Sequence, residues 1–182
     1  MKKFLLSLTT IMMVTLASVC VVSCGDDDDD GGAGSTSSGL KVNAKYGYYY
    51  KGSSEHWEFY FCSHDMNSRD VLNATIDMVI IELKAQSEDG KIPEGEFSGN
   101  FTVDVEKGMK VNSNGESTDG MYYESGSRSN TTGKLTIKKS GSSYTVSYSG
   151  VDFYSDDSNT PSVSNASFSF TGPLTKYHWD NE

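Results

Sequence analysis

The chain has 182 residues, with 15 Lys and Arg against 25 Asp and Glu, a formal charge of −10 and a pI near 4.7. That length allows one domain, and three cysteines cannot supply a disulfide framework. An acidic chain without grouped Lys and Arg argues against a nucleic-acid partner, because phosphate neutralisation needs clustered positive charge.

Residues 1–23 have the layout of a secretory signal. Lys2 and Lys3 make a positive start, and Phe4 to Val22 is apolar, diluted by Ser and Thr. Ser23 supplies a small residue at the cut, and Cys24 follows it. This order resembles the bacterial lipobox, in which the thiol takes a diacylglyceryl group and becomes the new N-terminus. The resemblance makes Cys24 the lipidation site and ties the mature protein to a membrane. Cys20 fits the pattern less well, because Val19 stands where a small residue is wanted. The competing reading is an uncleaved helix. Phe4 to Val22 could just span a bilayer, but no basic stop-transfer cluster follows.

Five carboxylates in a row, Asp26 to Asp30, and a Gly/Ser stretch to Gly39 come next. Residues 24–39 therefore read as an acylated Cys plus a solvated tether, which as a flexible coil reaches roughly 20 Å. An acidic run after an acylated Cys resembles the export signal of surface lipoproteins in Bacteroidota. The resemblance implies outer-membrane display facing the cell exterior, with the periplasmic face as the alternative; the simpler reading is that the Asp run only solubilises the tether. Asp26, Asp28, Asp30 and Gly31 match the first half of an EF-hand loop, but Ser37 stands where that loop requires Glu.

Residues 40–182 read as a single β domain holding every aromatic residue except Phe4. A domain of this size can bury a core without staples. Short alternating runs are punctuated by Gly, Asn, Asp and Ser, and no long stretch keeps helical spacing. In chain order, a Tyr-rich strand runs from Ala44 to Tyr48. Trp57, Phe59 and Phe61 then form the apolar side of a strand whose other side is His56, Glu58, Tyr60 and Cys62. Ile76 to Leu83 carries apolar groups at both parities, which predicts a strand covered on both faces or a short helix; its β-branched content favours the strand. Phe101, Val103 and Val105 make a further strand. Gly133 to Gly150 is a hairpin, with Leu135, Ile137, Tyr144, Val146 and Tyr148 on one face and a turn at Ser140-Gly141-Ser142. Ala166, Phe168 and Phe170 alternate with Ser167, Ser169 and Thr171 in a late strand.

Turn signals about every ten residues predict an antiparallel meander of eight to ten strands, closed as a barrel or, alternatively, stacked as a β-sandwich. A membrane-spanning barrel is disfavoured, since such strands need about 9–11 residues and the polar faces here carry Lys.

The Tyr-rich first strand, the aromatic second strand, Lys91-Ile92-Pro93-Glu94-Gly95-Glu96-Phe97, the hairpin and the closing Phe168 to Leu174 occur in an order that resembles Bacteroidota lipoproteins of unknown function with calycin-like (lipocalin- or streptavidin-like) β-barrel domains. The resemblance covers most of residues 44–174. It implies a closed barrel and brings no catalytic residues with it, and fold does not imply function.

The search for chemistry finds no catalytic signature, no metal-ligand spacing and no cofactor motif. His56, His64 and His178 lie apart from any HxH or HExxH pattern. Cys62 and His64 share a parity, so a Cys–His pair is geometrically conceivable if the strand continues. Glu94/Glu96 and Asp156/Asp157 are paired acids, but a glycosidase needs its two carboxyls facing across a cleft. The compositional excess is aromatic: Tyr46, Tyr48, Tyr49 and Tyr50; Tyr122 and Tyr123; Tyr177 and Trp179. Such rings suit sugar faces and partner surfaces, and they also serve as ordinary strand-pairing residues. Tyr48, Tyr50, Tyr122 and Trp179 are the ligand-binding candidates. The expectation is a monomeric, noncatalytic binding domain for a small molecule, glycan or protein partner. The alternative is a cell-envelope hydrolase with a site assembled from dispersed residues.

Overall fold

A computed structural model of the chain describes residues 40–52, 55–68, 71–112, 117–118, 120–126, 131–154 and 161–177. The signal segment, Cys24, the Asp tether, Asp156/Asp157, His178 and Trp179 lie outside the described residues.

The domain is all-β. Its strands are β1 (Tyr46–Lys51), β2 (His56–Cys62), β3 (Thr75–Lys84), β4 (Gly95–Phe97), β5 (Phe101–Val111), β6 (Ser117–Thr118), β7 (Met121–Glu124), β8 (Lys134–Ser140), β9 (Ser143–Phe153), β10 (Val163–Gly172) and β11 (Leu174–Lys176). They form two sheets. The larger has the order β11-β1-β2-β3-β5-β6, with β7 also paired to β5; the smaller has the order β10-β9-β8-β4.

Neither sheet is closed into a barrel. Two sheets around a shared core are consistent with the sandwich alternative. The meander expectation also needs correcting in two places. First, β4 pairs with β8 in the small sheet, so β3 and β5 become neighbours across it in sequence. Second, β11 pairs with β1 in parallel, Gly47 opposite Leu174. The sheets meet at an isolated bridge between Glu124 and Tyr154, and Pro173 carries the chain from β10 in one sheet to β11 in the other.

The alternation seen in the sequence decides what goes inside. Trp57, Phe59 and Phe61 of β2, Val79, Ile81 and Leu83 of β3, and Phe101, Val103 and Val105 of β5 are essentially fully buried. They share one cluster with Leu135, Ile137, Val146, Tyr148, Val151, Phe153 and Phe170 from the small sheet. Rings interlock across the two layers: Phe61 lies 5.3 Å from Phe168 and 5.0 Å from Phe170, centre to centre. Offset and tilted rings at this spacing gain energy beyond their area burial. Phe168 and Phe170 thus take the core parity, Phe170 buried and Phe168 half-buried. Gly133 holds a positive φ of 83°, and a Cβ there would stand 2.3 Å from the Ser149 carbonyl oxygen. Only glycine lets the start of β8 approach β9 so closely.

The opposite face of the large sheet carries a second, smaller cluster. Tyr48, Cys62, Ile76, Met78, Met109 and Val111 are buried there, with Met66, Val71 and Leu72 of the β2–β3 connection packed against them. This explains why Ile76 to Leu83 is apolar at both parities: Val79, Ile81 and Leu83 face the main core, while Ile76, Met78 and Ile80 face the second cluster. Tyr48 pins the connection in place. Its hydroxyl donates to Asp65 Oδ1 at 2.5 Å and accepts from the Met66 N–H at 3.1 Å.

Candidate functional site

The outer face of the large sheet is built by strand register. Residues paired across antiparallel strands point to the same side, so the pairing gives three rows. One row reads Tyr50, Glu58, Glu82, Thr102. The next reads Tyr48, Tyr60, Ile80, Asp104, Glu124, and the third Tyr46, Cys62, Met78, Glu106, Tyr122. Five carboxylates and five tyrosines therefore share one sheet face, and none of the three rows contains Lys or Arg. Glu58, Glu82, Asp104 and Glu106 are half-buried, and Tyr122 is 52% exposed.

The electrostatics follow from that crowding. Burial pushes the Asp104 carboxyl up to about 6, and the neighbouring charges of Glu82, Glu124 and Glu106 push the same way; a hydrogen bond from Tyr122 opposes them. Burial also raises Glu106. Tyr60 and Tyr122 are held well above the usual phenol range, first by burial and then by Glu58 and Asp104 respectively. The Tyr60 hydroxyl donates to Glu58, and His56 Nε2 lies 2.8 Å from the other oxygen of the same carboxylate. Tyr177, beyond β11, packs its ring 5.7 Å from Tyr60 and 6.1 Å from Tyr48. A half-buried carboxyl that keeps its proton into the mildly acid range, beside other acidic side chains and exposed phenol rings, can donate as well as accept hydrogen bonds. Perturbed carboxyls of this kind mark candidate sites.

Three sequence candidates, Tyr48, Tyr50 and Tyr122, fall on this one face, but they are not equivalent. Tyr48 is only 2% exposed and its hydroxyl is committed to Asp65 and Met66, so it positions the β2–β3 connection. Tyr50 is half-buried in the Glu58 row. Tyr122 is the candidate that presents its ring outward, four strands away from Tyr46 in the same row.

The other sequence candidates separate. β2 ends at Cys62, which is fully buried. Burial, with Glu106 a smaller contributor, pushes its thiol up to about 12, so it stays protonated. His64 Nδ1 instead lies 3.0 Å from Ser63 Oγ. Glu94 accepts from the Lys139 N–H, and Glu96 pairs with Lys134 at 3.2 Å; both carboxylates are exposed at the β4–β8 edge. Among the described residues no group of three or more His, Cys, Asp or Glu side chains is arranged to hold a metal ion.

A barrel-mouth ligand site has little support from the interior, where the space between the sheets is filled by the rings of Trp57, Phe59, Phe61, Phe101 and Phe153. A shallow cleft of about 80 Å³ lies at the β1–β11 seam, between Lys45, Tyr46, Tyr48, Pro173 and Thr175. Small-molecule pockets are usually roughly 300–1,000 Å³.

The carboxylate group of Glu58, Glu82, Asp104, Glu106 and Glu124 is the feature the sequence alone did not assemble. The signal was present in part, since Glu58, Asp104 and Glu106 sit at the polar parity of alternating strands, whereas Glu82 shares its parity with Met78 and Ile80. Bringing them together needs the β3–β5 pairing, which skips β4. Comparison with protein-family models, with curated proteins and with solved structures finds no match for this chain.

Proposed function

We propose that the protein is a lipid-anchored lipoprotein of the outer membrane, facing the cell exterior, whose β domain binds a ligand without turning it over. The anchor rests on the Lys-apolar-small-Cys order ending at Cys24. One lipidated Cys carrying two or three chains holds firmly, whereas a single acyl chain is marginal. Cys24→Ala should abolish lipid attachment and release the protein from membranes; a wild-type chain whose Cys24 carries no lipid by mass spectrometry refutes the anchor. Protease treatment of whole cells separates the exterior from the periplasmic face.

The binding reading rests on one observation: the outer face of the large sheet combines the outward Tyr122 ring with half-buried carboxylates. Rings offer a flat apolar surface, and carboxylates accept hydrogen bonds from hydroxyl groups, which suits a glycan. A glycan-array screen followed by calorimetry on Tyr122→Ala tests this. The expected result is a bound glycan whose affinity falls about tenfold or more in the variant; undiminished binding in Tyr122→Ala refutes the assignment to this face.

A second reading, a cell-envelope hydrolase, is favoured by Asp104. A carboxyl that holds its proton up to about pH 6 among other acidic side chains is what acid–base hydrolysis uses. Glycan cleavage by the wild type that Asp104→Asn abolishes would replace binding with catalysis.

A further inference from the structure

The short strand β7 forms the rim of the large sheet, and its pairing places acid against acid. Asp104 of β5 stands directly opposite Glu124 of β7, while Glu106 stands opposite Tyr122. Directly opposite residues have Cβ atoms roughly 4.5–5.5 Å apart, and like charges there weaken the strand pair. Elsewhere β7 is held by Tyr123, which packs against the main core. The β7 backbone links to the small sheet by the Glu124–Tyr154 bridge, with N···O distances of 2.9 and 3.3 Å. Just beyond its end, the Ser125 N–H donates to the Val103 carbonyl, and Ser125 Oγ accepts from the Val103 N–H.

We propose that β7 is a proton-operated clamp: one proton taken from solvent and held between Asp104 and Glu124 closes β7 onto β5, and its loss loosens the strand. With both carboxyls ionised, the facing pair repels. With Asp104 protonated, its O–H can donate to the Glu124 carboxylate, and a charge-assisted hydrogen bond replaces the repulsion. Two neighbouring acids add to the repulsion: on β5, Glu106 shares the face two residues away, and on β3, Glu82 lies diagonally across from Asp104. On β7, the Tyr122 hydroxyl donates to Asp104 and works the other way, favouring the ionised carboxylate, but burial and the acids together outweigh it. β2 brings Glu58, with Tyr60 and His56 bound to it, into the Glu82 row. Lys84 lies at the far end of β3, opposite His56, and Lys107 is opposite Met121. Asp104 retains its proton to about pH 6 in the folded chain, against 3.8 for an ordinary Asp. The folded, clamped form therefore binds more protons through that window, and the clamp tightens as pH falls through it. Because β7 carries Tyr122, the clamp would set how firmly that ring is presented. The proposal does not depend on what, if anything, Tyr122 binds.

The test is amide hydrogen exchange of the full-length protein at pH 7.5 and pH 5, with each rate corrected for the intrinsic pH dependence of exchange. In the wild type, protection of the peptide covering residues 117–126 should rise several-fold, up to about tenfold, on acidification. In Asp104→Asn, the amide should donate to Glu124 at both pH values, so protection should be high and nearly constant. Glu124→Gln removes the facing charge from the other strand and should flatten the profile in the same way. The β8–β9 hairpin, Lys134 to Ser149, is the internal control and should change less than the β7 peptide. A wild-type β7 peptide equally protected at both pH values overturns the clamp, and needs no variant. An equal change in the hairpin would place the proton linkage on global unfolding and overturn it too. So would an Asp104→Asn chain that keeps the full wild-type response.

Discussion

Phe61→Ala tests the two-layer core at its centre. Phe61 is fully buried near the end of β2, with Phe168 and Phe170 of the opposing sheet at 5.3 and 5.0 Å. Truncating a buried Phe costs ~3–5 kcal/mol, because transfer energy is lost and the cavity collapses only partly. Two aromatic pairs, each worth about 0.5–1.5 kcal/mol beyond burial, place the expected loss in the upper part of that range, about 4 kcal/mol. That is a large share of a domain stability of ~5–15 kcal/mol. With a urea slope of about 1.5–2 kcal/mol per M, the midpoint should fall by about 2 M or more. Urea unfolding followed by Trp fluorescence measures it. Tyr60→Phe, one residue away on the opposite face, is the control: it loses the hydroxyl bond to Glu58 and should cost only about 1 kcal/mol. A double-mutant cycle with Phe170→Ala should return a coupling of about 0.5–1.5 kcal/mol. A Phe61→Ala loss no larger than that of Tyr60→Phe would refute the packing of the two sheets through β2.

Three other perturbations probe separate features. Gly133→Ala should destabilise by more than the usual glycine change, or prevent folding, because its Cβ meets the Ser149 carbonyl at 2.3 Å and its φ is positive; an unchanged thermal midpoint would contradict the close approach of β8 and β9. Ser125→Ala leaves the buried Val103 N–H without its side-chain acceptor and should cost ~1–3 kcal/mol by urea unfolding. Asp104→Asn should stabilise the protein at pH 7.5 by about 1 kcal/mol, after allowance for the solvent-exposed part of the group. That gain should shrink as pH falls from about 6 towards 4, because the wild-type carboxyl takes up its proton in the folded state before it does so in the unfolded state. A gain independent of pH would show that Asp104 titrates normally.

Where alternation was strict, local pattern was enough. The hairpin predicted over Gly133 to Gly150 is β8 and β9, turning at Gly141 with a φ of 60°, and Leu135, Ile137, Val146 and Tyr148 are inside. Trp57, Phe59 and Phe61 occupy the core parity of β2 as their spacing requires. Boundaries were less accessible: the first strand starts at Tyr46 rather than Ala44, and β5 continues to Val111. Gly108, with a φ of 68°, lies in the irregular stretch of that strand, its N–H bonded to Asp77 Oδ1. Partner choice was not legible at all. Nothing in the three residues of β4 says that they join β8 and leave β3 to find β5. The candidate face inherits that limit. Asp104 and Glu106 are visibly the polar side of their strand, but their proximity to Glu82 and Glu124 exists only after nonlocal pairing. Tyr122 was visible as an aromatic excess; that its phenol meets Asp104 was not.

The parallel pairing of β11 with β1 has a consequence for how the chain is made. Gly47 and Leu174 are neighbours in the sheet yet lie near opposite ends of the domain. Translation delivers β1 first and β11 last. Until Leu174–Lys176 emerges, one side of β1 has no strand beside it, and unpaired strand edges invite pairing with other chains. Joining such distant segments is also slow, because a long loop must close before any contact rewards it. The domain therefore completes its large sheet only after nearly the whole polypeptide has arrived. A ribosome stalled before residue 174 would leave a nascent chain whose first strand is exposed to chaperones and proteases.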